Sequence, residues 1–292
     1  QGARAIESGD AEVILAGGVE SMSRAPYVVE KSAKPWPAVG NQTMWNTSIG
    51  WRMTNRALPR PWTISNGEAA ELTAREWGIS REAQDAFAVR SHDLAAAAWA
   101  AGAYDAEIVQ VPGHELTRDE GIRDGSTVEK LAGLKPLFAE DGTVTAANSS
   151  SINDGASAVL LGAEGALPTE PLARIIGRAA HGVDPDRFPT APIEAANTAL
   201  ARAGKTWADV DFVELNEAFA SQSLACLAGW PELDPANLNI HGGAIAIGHP
   251  RGASGGRIIG HAAHELKRRG GGVAVAAICI GVGQGLAVVL ER

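Results

Sequence analysis

Four apolar runs, each entered or left through small residues and glycine, constrain this chain more than any other feature. They are 13–19 (VILAGGV), 156–162 (ASAVLLG), 273–280 (VAVAAICI) and 285–290 (GLAVVL). Short apolar runs without polar alternation read as strands buried in a sheet that helices cover. The first follows a helical pattern that stops at Gly9, which predicts a buried parallel strand and an α/β fold. The last two are joined by a Gly-rich turn and suit an antiparallel pair in a core. Residues 172–177 (LARIIG) and 210–215 (VDFVEL) read as further strands flanking a helix over 191–203. A helix over 253–269 ends in Lys267, Arg268 and Arg269, cations placed at the negative end of its dipole.

Between the first two runs the pattern changes. Residues 67–101 predict two amphipathic helices split by Gly78, with Ser80 as N-cap and Glu82 and Asp85 in the first turn of the second. Residues 23–61 are rich in Pro, Trp, Asn and Arg, which predicts a long inserted loop that packs its tryptophans on a surface. Runs 156–161 and 285–290 each open on a small residue and, two positions on, share Ala, Val, a hydrophobic residue and Leu, each after a Gly- or Ser-rich turn. Two related halves would explain that echo.

A chain of 292 residues suggests two packed units, or one large α/β domain, and it can bury a sizeable core. Hydrophobic residues at 45% and charged residues at 20% place it in the globular class. The net charge of -9, without clustered Lys and Arg, argues against a nucleic acid partner. The only cysteines, Cys226 and Cys279, lie far apart and outside any CxxC, which supports neither a disulfide framework nor zinc and fits a reducing cytoplasm. No basic apolar leader precedes Asp10 and no run of about 18 apolar residues occurs, so neither secretion nor a membrane span is signalled. The helical pattern begins at Gln1 without a cap or an initiating Met, and the expectation is that a segment upstream is missing.

Three segments set a reactive side chain beside small residues at the end of an apolar run: 216–220 (NEAFA), 241–256 (HGGAIAIGHPRGASGG) and 279–285 (CIGVGQG). Strand ends with glycine turns are where α/β enzymes place reacting groups, because substrate can then approach the backbone. His249 and Cys279 could share one site, the imidazole taking a proton from a thiol and Cys279 exchanging one with a carbon. Taken singly, Cys279 is equally a small buried hydrophobe, and Asn216 could cap a helix starting at Glu217. Cys226 follows helical spacing and reads as core. His261 and His264 stand three apart on a helix, but no third ligand is evident, so a packed or solvated face is the reading and no metal is assigned.

NEAFA, GGAIAIGHPRGASG and CIGVGQG, in that order, resemble the three C-terminal signatures of thiolases. The likeness continues through GDAEVILAGGVESMSRAPY at 9–27, SREAQDAFAVRSH at 80–92 and GTVTAANSSSINDGAS at 142–157, so it spans the chain. It implies an α/β thiolase-like layered fold of two similar halves with an inserted loop domain. The halves would be 1–21 with 144–168, an incomplete remnant of the first, and 169–292, with 22–143 as the insert. An incomplete first half would leave apolar surface bare and predicts poor solubility for residues 1–292 expressed alone.

The resemblance also implies thiolytic cleavage of 3-ketoacyl-CoA, or the reverse condensation, through a cysteine nucleophile. That nucleophile is expected about three helical turns before Gln1, and neither Cys226 nor Cys279 matches it. His249 resembles the base that activates it, and Cys279 the acid/base at the α-carbon. Asn216 resembles the holder of a water that forms an oxyanion hole with His249, and the Gly281 amide part of a second hole. Arg123, Phe138 and Ser150 match positions that contact coenzyme A, a co-substrate rather than a bound cofactor. Phe188 stands in the substrate-side loop, where short-chain enzymes often carry Met-Gly, and Ser65, Asn66 and Gly67 depart from those enzymes too. A cytoplasmic homodimer or homotetramer is expected. A thiolase-like subunit without its own nucleophile, or a ketoacyl synthase, are the alternatives; a synthase would use two histidines with one cysteine.

Overall fold

The computed structural model describes every residue except 34 and 37–39. The chain runs α1 (Gly2–Glu7), β1 (Val13–Ser21), β2 (Tyr27–Val29), β3 (Met44–Asn46), α2 (Asn66–Glu76), α3 (Arg81–Ala100) and α4 (Val128–Ala132). It continues through β4 (Asp154–Gly162), β5 (Arg174–Gly182), α5 (Ala191–Ala203), β6 (Phe212–Leu215), α6 (Ala220–Ala228), α7 (Ala244–Ile247), α8 (Arg251–Arg269), β7 (Val273–Ile280) and β8 (Gln284–Glu291). β5, β8, β7 and β6 form one sheet in that order, with β6 and β7 parallel and the other neighbours antiparallel. β1 pairs antiparallel with β4, and β2 with β3.

α8 lies between the two larger sheets, touching β1 and β4 on one side and β6 and β7 on the other. Its first turns are made of small residues for that reason: a Cβ at Gly18 of β1 would fall on the Gly252 carbonyl, and one at Gly256 on the Ser157 hydroxyl. Ser157 Oγ of β4 donates to Ala253 O at 2.6 Å, which ties sheet to helix at the point of closest approach. β6 is buried at every position and β7 at almost every one, which accounts for their unbroken apolar sequences. The main core gathers Val213, Leu215, Val275 and Val289 from the sheet, Leu200 from α5 and Trp230 beyond α6.

The antiparallel β7–β8 pair forms as expected, in register from Val273 opposite Glu291 to Ile280 opposite Gln284. Ser80 caps α3 by accepting from Ala83 N at 3.2 Å. Two expectations fail. β1 is antiparallel, and its outward face is bare: Leu15 is 72% and Val19 75% exposed. Within residues 1–292 only the face on α8 is covered. Of the tryptophans of the 23–61 segment, Trp45 is half-buried, but Trp36 is 83% exposed and Trp51 about half, although Trp51 Nε1 donates to Ile64 O. The tryptophan that packs deeply is Trp230, which has no exposed surface, stacks on Trp207 at 5.0 Å between ring centroids and donates from Nε1 to Ile193 O.

Candidate active site

β6 and β7 run parallel, so the segments leaving their C-terminal ends, 216–219 and 281–283, emerge at the same edge of the sheet. Asn216 N donates to Ala277 O at 2.9 Å, extending the ladder one step past β6. Asn239 pins that end, accepting from Leu215 N at 2.7 Å and donating to Leu215 O at 2.8 Å and Glu217 Oε1 at 2.9 Å. The buried Glu217 carboxyl accepts from Ser91 Oγ at 2.6 Å and Ile245 N at 3.1 Å, so it fixes the loop that leads to residue 249. Burial raises its pKa, and the bonds from Ser91, Asn239 and Ile245 oppose that. Asn216 caps nothing: α6 starts at Ala220 with Phe219 in the cap position.

The Asn216 side chain turns instead toward His249, with Nδ2 3.4 Å from Nε2. Its Oδ1 is buried and has no hydrogen-bond partner among the described residues, a condition that a bound polar group would relieve. His249 follows Gly248, which has φ +83° and packs so tightly on the Asn153 amide that a Cβ would fall on it. Arg257 Nη2 holds the Gly248 carbonyl at 2.7 Å, and His249 Nδ1 meets Ser254 Oγ at 2.7 Å. Burial, reinforced by the Arg257 and Arg251 guanidinium groups, pushes the imidazole down to about 4, so it is neutral at pH 7.

Cys279, 7% exposed, packs with Ala69, Phe188 and Ala218, with Ile64 and Phe219 beside them. Ala218 is two residues beyond Asn216, so the cysteine and the Asn216–His249 pair border the same loop. Burial pushes the Cys279 thiol up to about 12, and it stays protonated at pH 7. After β7 the chain turns through Gly281, Val282 at φ +70° and Gly283 at φ +89°. Space at Gly281 is open: a methyl group there would have Asn66 Oδ1, at 3.5 Å, as its nearest neighbour.

Of the other expected residues, Phe188 lies buried against Cys279. Phe138 meets Phe219 edge-on at 6.2 Å and covers Gly67, and Ser150 N donates to Ala218 O at 3.1 Å. Arg123 is exposed and is tied in through its backbone N–H, which donates to His92 Nδ1 at 3.2 Å. Cys226 is wholly buried, with Gln222 Nε2 and Pro189 O each 3.5 Å from its sulfur, and burial raises its thiol pKa. His261 joins a packed network with Glu107 at 2.6 Å and His241 at 2.9 Å. Among the described residues no group of three His, Cys, Asp or Glu side chains could hold a metal ion, and no helix is long and apolar enough to cross a membrane. Sequence reasoning gave no role to Glu217 and Ser254, which lie inside the segments 216–220 and 241–256, or to Asn239 and Arg257, which lie just outside the second of them.

The thiolase N-terminal domain model matches residues 1–165 and the thiolase C-terminal domain model residues 169–292. This chain belongs to the thiolase family. The 3-oxoadipyl-CoA/3-oxo-5,6-dehydrosuberyl-CoA thiolase of Escherichia coli strain K12 is 44% identical over 99% of this chain and 75% of its own length. The acetyl-CoA acetyltransferase of Cupriavidus necator is also 44% identical, over 99% and 75%. The human mitochondrial 3-ketoacyl-CoA thiolase solved in complex with CoA superposes with a TM-score of 0.91 at 40% identity, covering all of this chain and 73% of that one. This thiolase thus has the layered α/β fold of its family, and it is an acyltransferase whose reaction is thiolytic cleavage or the reverse Claisen condensation.

Proposed function

We propose that this thiolase cleaves 3-ketoacyl-CoA esters to acyl-CoA and acetyl-CoA with His249, Cys279, Asn216 and Gly281 as its catalytic groups. The observation that carries the assignment is the contrast between two buried groups bordering one loop: a neutral imidazole and a thiol that keeps its proton. A neutral imidazole accepts the proton of an attacking thiol, which the family resemblance places ahead of Gln1. The thiolate attacks C3, the C2–C3 bond breaks, and its electron pair leaves as the enolate of acetyl-CoA. Cys279 then gives its proton to the α-carbon and takes back the one held by the imidazolium. His249 next deprotonates free coenzyme A, whose thiolate takes the acyl group, and the nucleophile leaves as a thiolate that recovers that proton. The buried, unpartnered Oδ1 of Asn216 suits a water that, with His249, stabilises the enolate oxygen. Space beside Gly281 is open on its side-chain side, which leaves room for substrate, and its amide is the donor we assign to the tetrahedral intermediate.

Coenzyme A is the co-substrate, with Phe138 and Ser150 along its path and Arg123 at the outer end, and Phe188 borders the acyl group. We divide the chain into 1–21 with 144–168, an insert over 22–143, and 169–292; the pairing of β1 with β4 across the insert supports the first of these. A cytoplasmic homodimer or homotetramer acting in fatty acid metabolism, without a bound cofactor, completes the reading.

The test is steady-state thiolysis of 3-ketoacyl-CoA esters of several lengths by the complete enzyme, the chain carried to the full length of its relatives. Turnover is expected, and His249→Ala should lower kcat by at least about a hundredfold. Because the imidazole sits at about 4, kcat/KM should stay level as pH falls from 8 to 5. A fall centred near the ordinary histidine value of about 6.5 would contradict a buried neutral base.

A further inference from the structure

We propose that Ser254 is a positioning residue that holds His249 in the tautomer with hydrogen on Nδ1 and a bare lone pair on Nε2. The proposal rests on the reading of His249 as the base, and it concerns which nitrogen does the work. Ser254 is in the first turn of α8 and has no exposed surface. Its hydroxyl carries one hydrogen and has two neighbours: Pro250 O, four residues back, at 3.1 Å, and His249 Nδ1 at 2.7 Å. Bonding back to the carbonyl four residues earlier is the ordinary geometry of a helical serine. A carbonyl only accepts, so a hydrogen given to Pro250 leaves an oxygen lone pair facing Nδ1, which must then be the protonated nitrogen.

The opposite edge of the ring agrees. Nε2 is 3.4 Å from Asn216 Nδ2, a group that only donates, so a hydrogen on Nε2 would set two donors against each other. The contact is long, and an arriving thiol can replace it. The alternative tautomer needs the serine hydrogen to leave Pro250 and the Asn216 contact to turn repulsive, so both edges select the same form. The lone pair is thereby aimed toward the Asn216 side of the pocket. When Nε2 takes a proton, the Nδ1–H to Ser254 bond is kept and stabilises the imidazolium.

The experiment is nitrogen NMR of the His249 ring in the complete enzyme at pH 8, combined with kinetics of Ser254→Ala and Ser254→Thr. The wild-type ring should carry hydrogen on Nδ1, a measurement that needs no variant to fold. Ser254→Ala should move hydrogen toward Nε2 and lower kcat roughly tenfold to a hundredfold, with KM for coenzyme A within about twofold. Ser254→Thr, which keeps the hydroxyl, should restore most of the rate. A wild-type ring protonated on Nε2 would overturn the proposal, as would Ser254→Ala with unchanged tautomer and kcat. If His249→Ala itself keeps full thiolysis, the assignment of the base fails. If His249→Ala is inactive while Ser254→Ala is normal, only the role of Ser254 fails.

Discussion

Cys279→Ala is expected to abolish carbon–carbon bond cleavage while leaving acyl exchange with coenzyme A partly intact. The two half-reactions ask different things of the site: exchange needs a base for a thiol, whereas cleavage also needs a proton delivered to carbon. A thiol pushed up to about 12 is suited to the second task, because it keeps its proton at pH 7 and remains a far stronger acid than the α C–H bond it forms. Removing it takes away the acid but leaves His249 and Asn216, whose contact does not involve the cysteine. The loss in acetyl-CoA release should be about a hundredfold to ten-thousandfold, the range for a positioned acid or base. The side chain is small and packs in a cluster with Ala69, Phe188 and Ala218, so alanine should fold. Equal losses in exchange and cleavage would show that Cys279 does not act at carbon.

Trp230→Ala should be the most damaging single change to stability, at about 3–5 kcal/mol. The side chain has no exposed surface, stacks on Trp207 and donates to the Ile193 carbonyl at the start of α5. It therefore joins α5, the end of α6 and the face of the main sheet in one cluster. Its removal leaves a large void and loses the bond to a carbonyl inside α5, against a whole-domain stability of only about 5–15 kcal/mol. Urea unfolding followed by far-ultraviolet circular dichroism measures the effect. A loss below about 1 kcal/mol would show that neighbouring side chains collapse into the space.

The elements of the second half are largely legible in the sequence, because their patterns are local. Apolar runs 273–280 and 285–290 with a glycine turn can hardly be anything but a hairpin, and α5 and α8 carry their own stop signals in Gly204 and Gly270, both left-handed. The direction of β1 is not legible, since an apolar run does not state which way its neighbour runs. The tryptophans of 36–62 mislead similarly: aromatic content implies a surface to pack on, yet Trp36 has none beneath it. At the site, His249 and Cys279 stand out through their glycine-rich settings, Asn216 through its place at the end of an apolar run, and all three through the family likeness. Glu217, Asn239 and Arg257 do not, because each acts by satisfying backbone groups that only the folded loop brings within reach. Ser254 is hidden among Gly252, Ala253, Gly255 and Gly256, where a small residue needs no reason beyond close packing.

The contact between Asn216 and His249 spans 33 positions, and Cys279 joins only after β7 slides in parallel beside β6, with the whole of α8 between them in sequence. Parallel pairing cannot form by zipping from a tight turn; it waits for the crossover helix to dock. Helical signal should therefore return early when the unfolded protein is diluted from denaturant, while turnover lags until the last long loop has closed. Enzymatic rate during renaturation is then a clock for the docking of α8, a step that circular dichroism would miss.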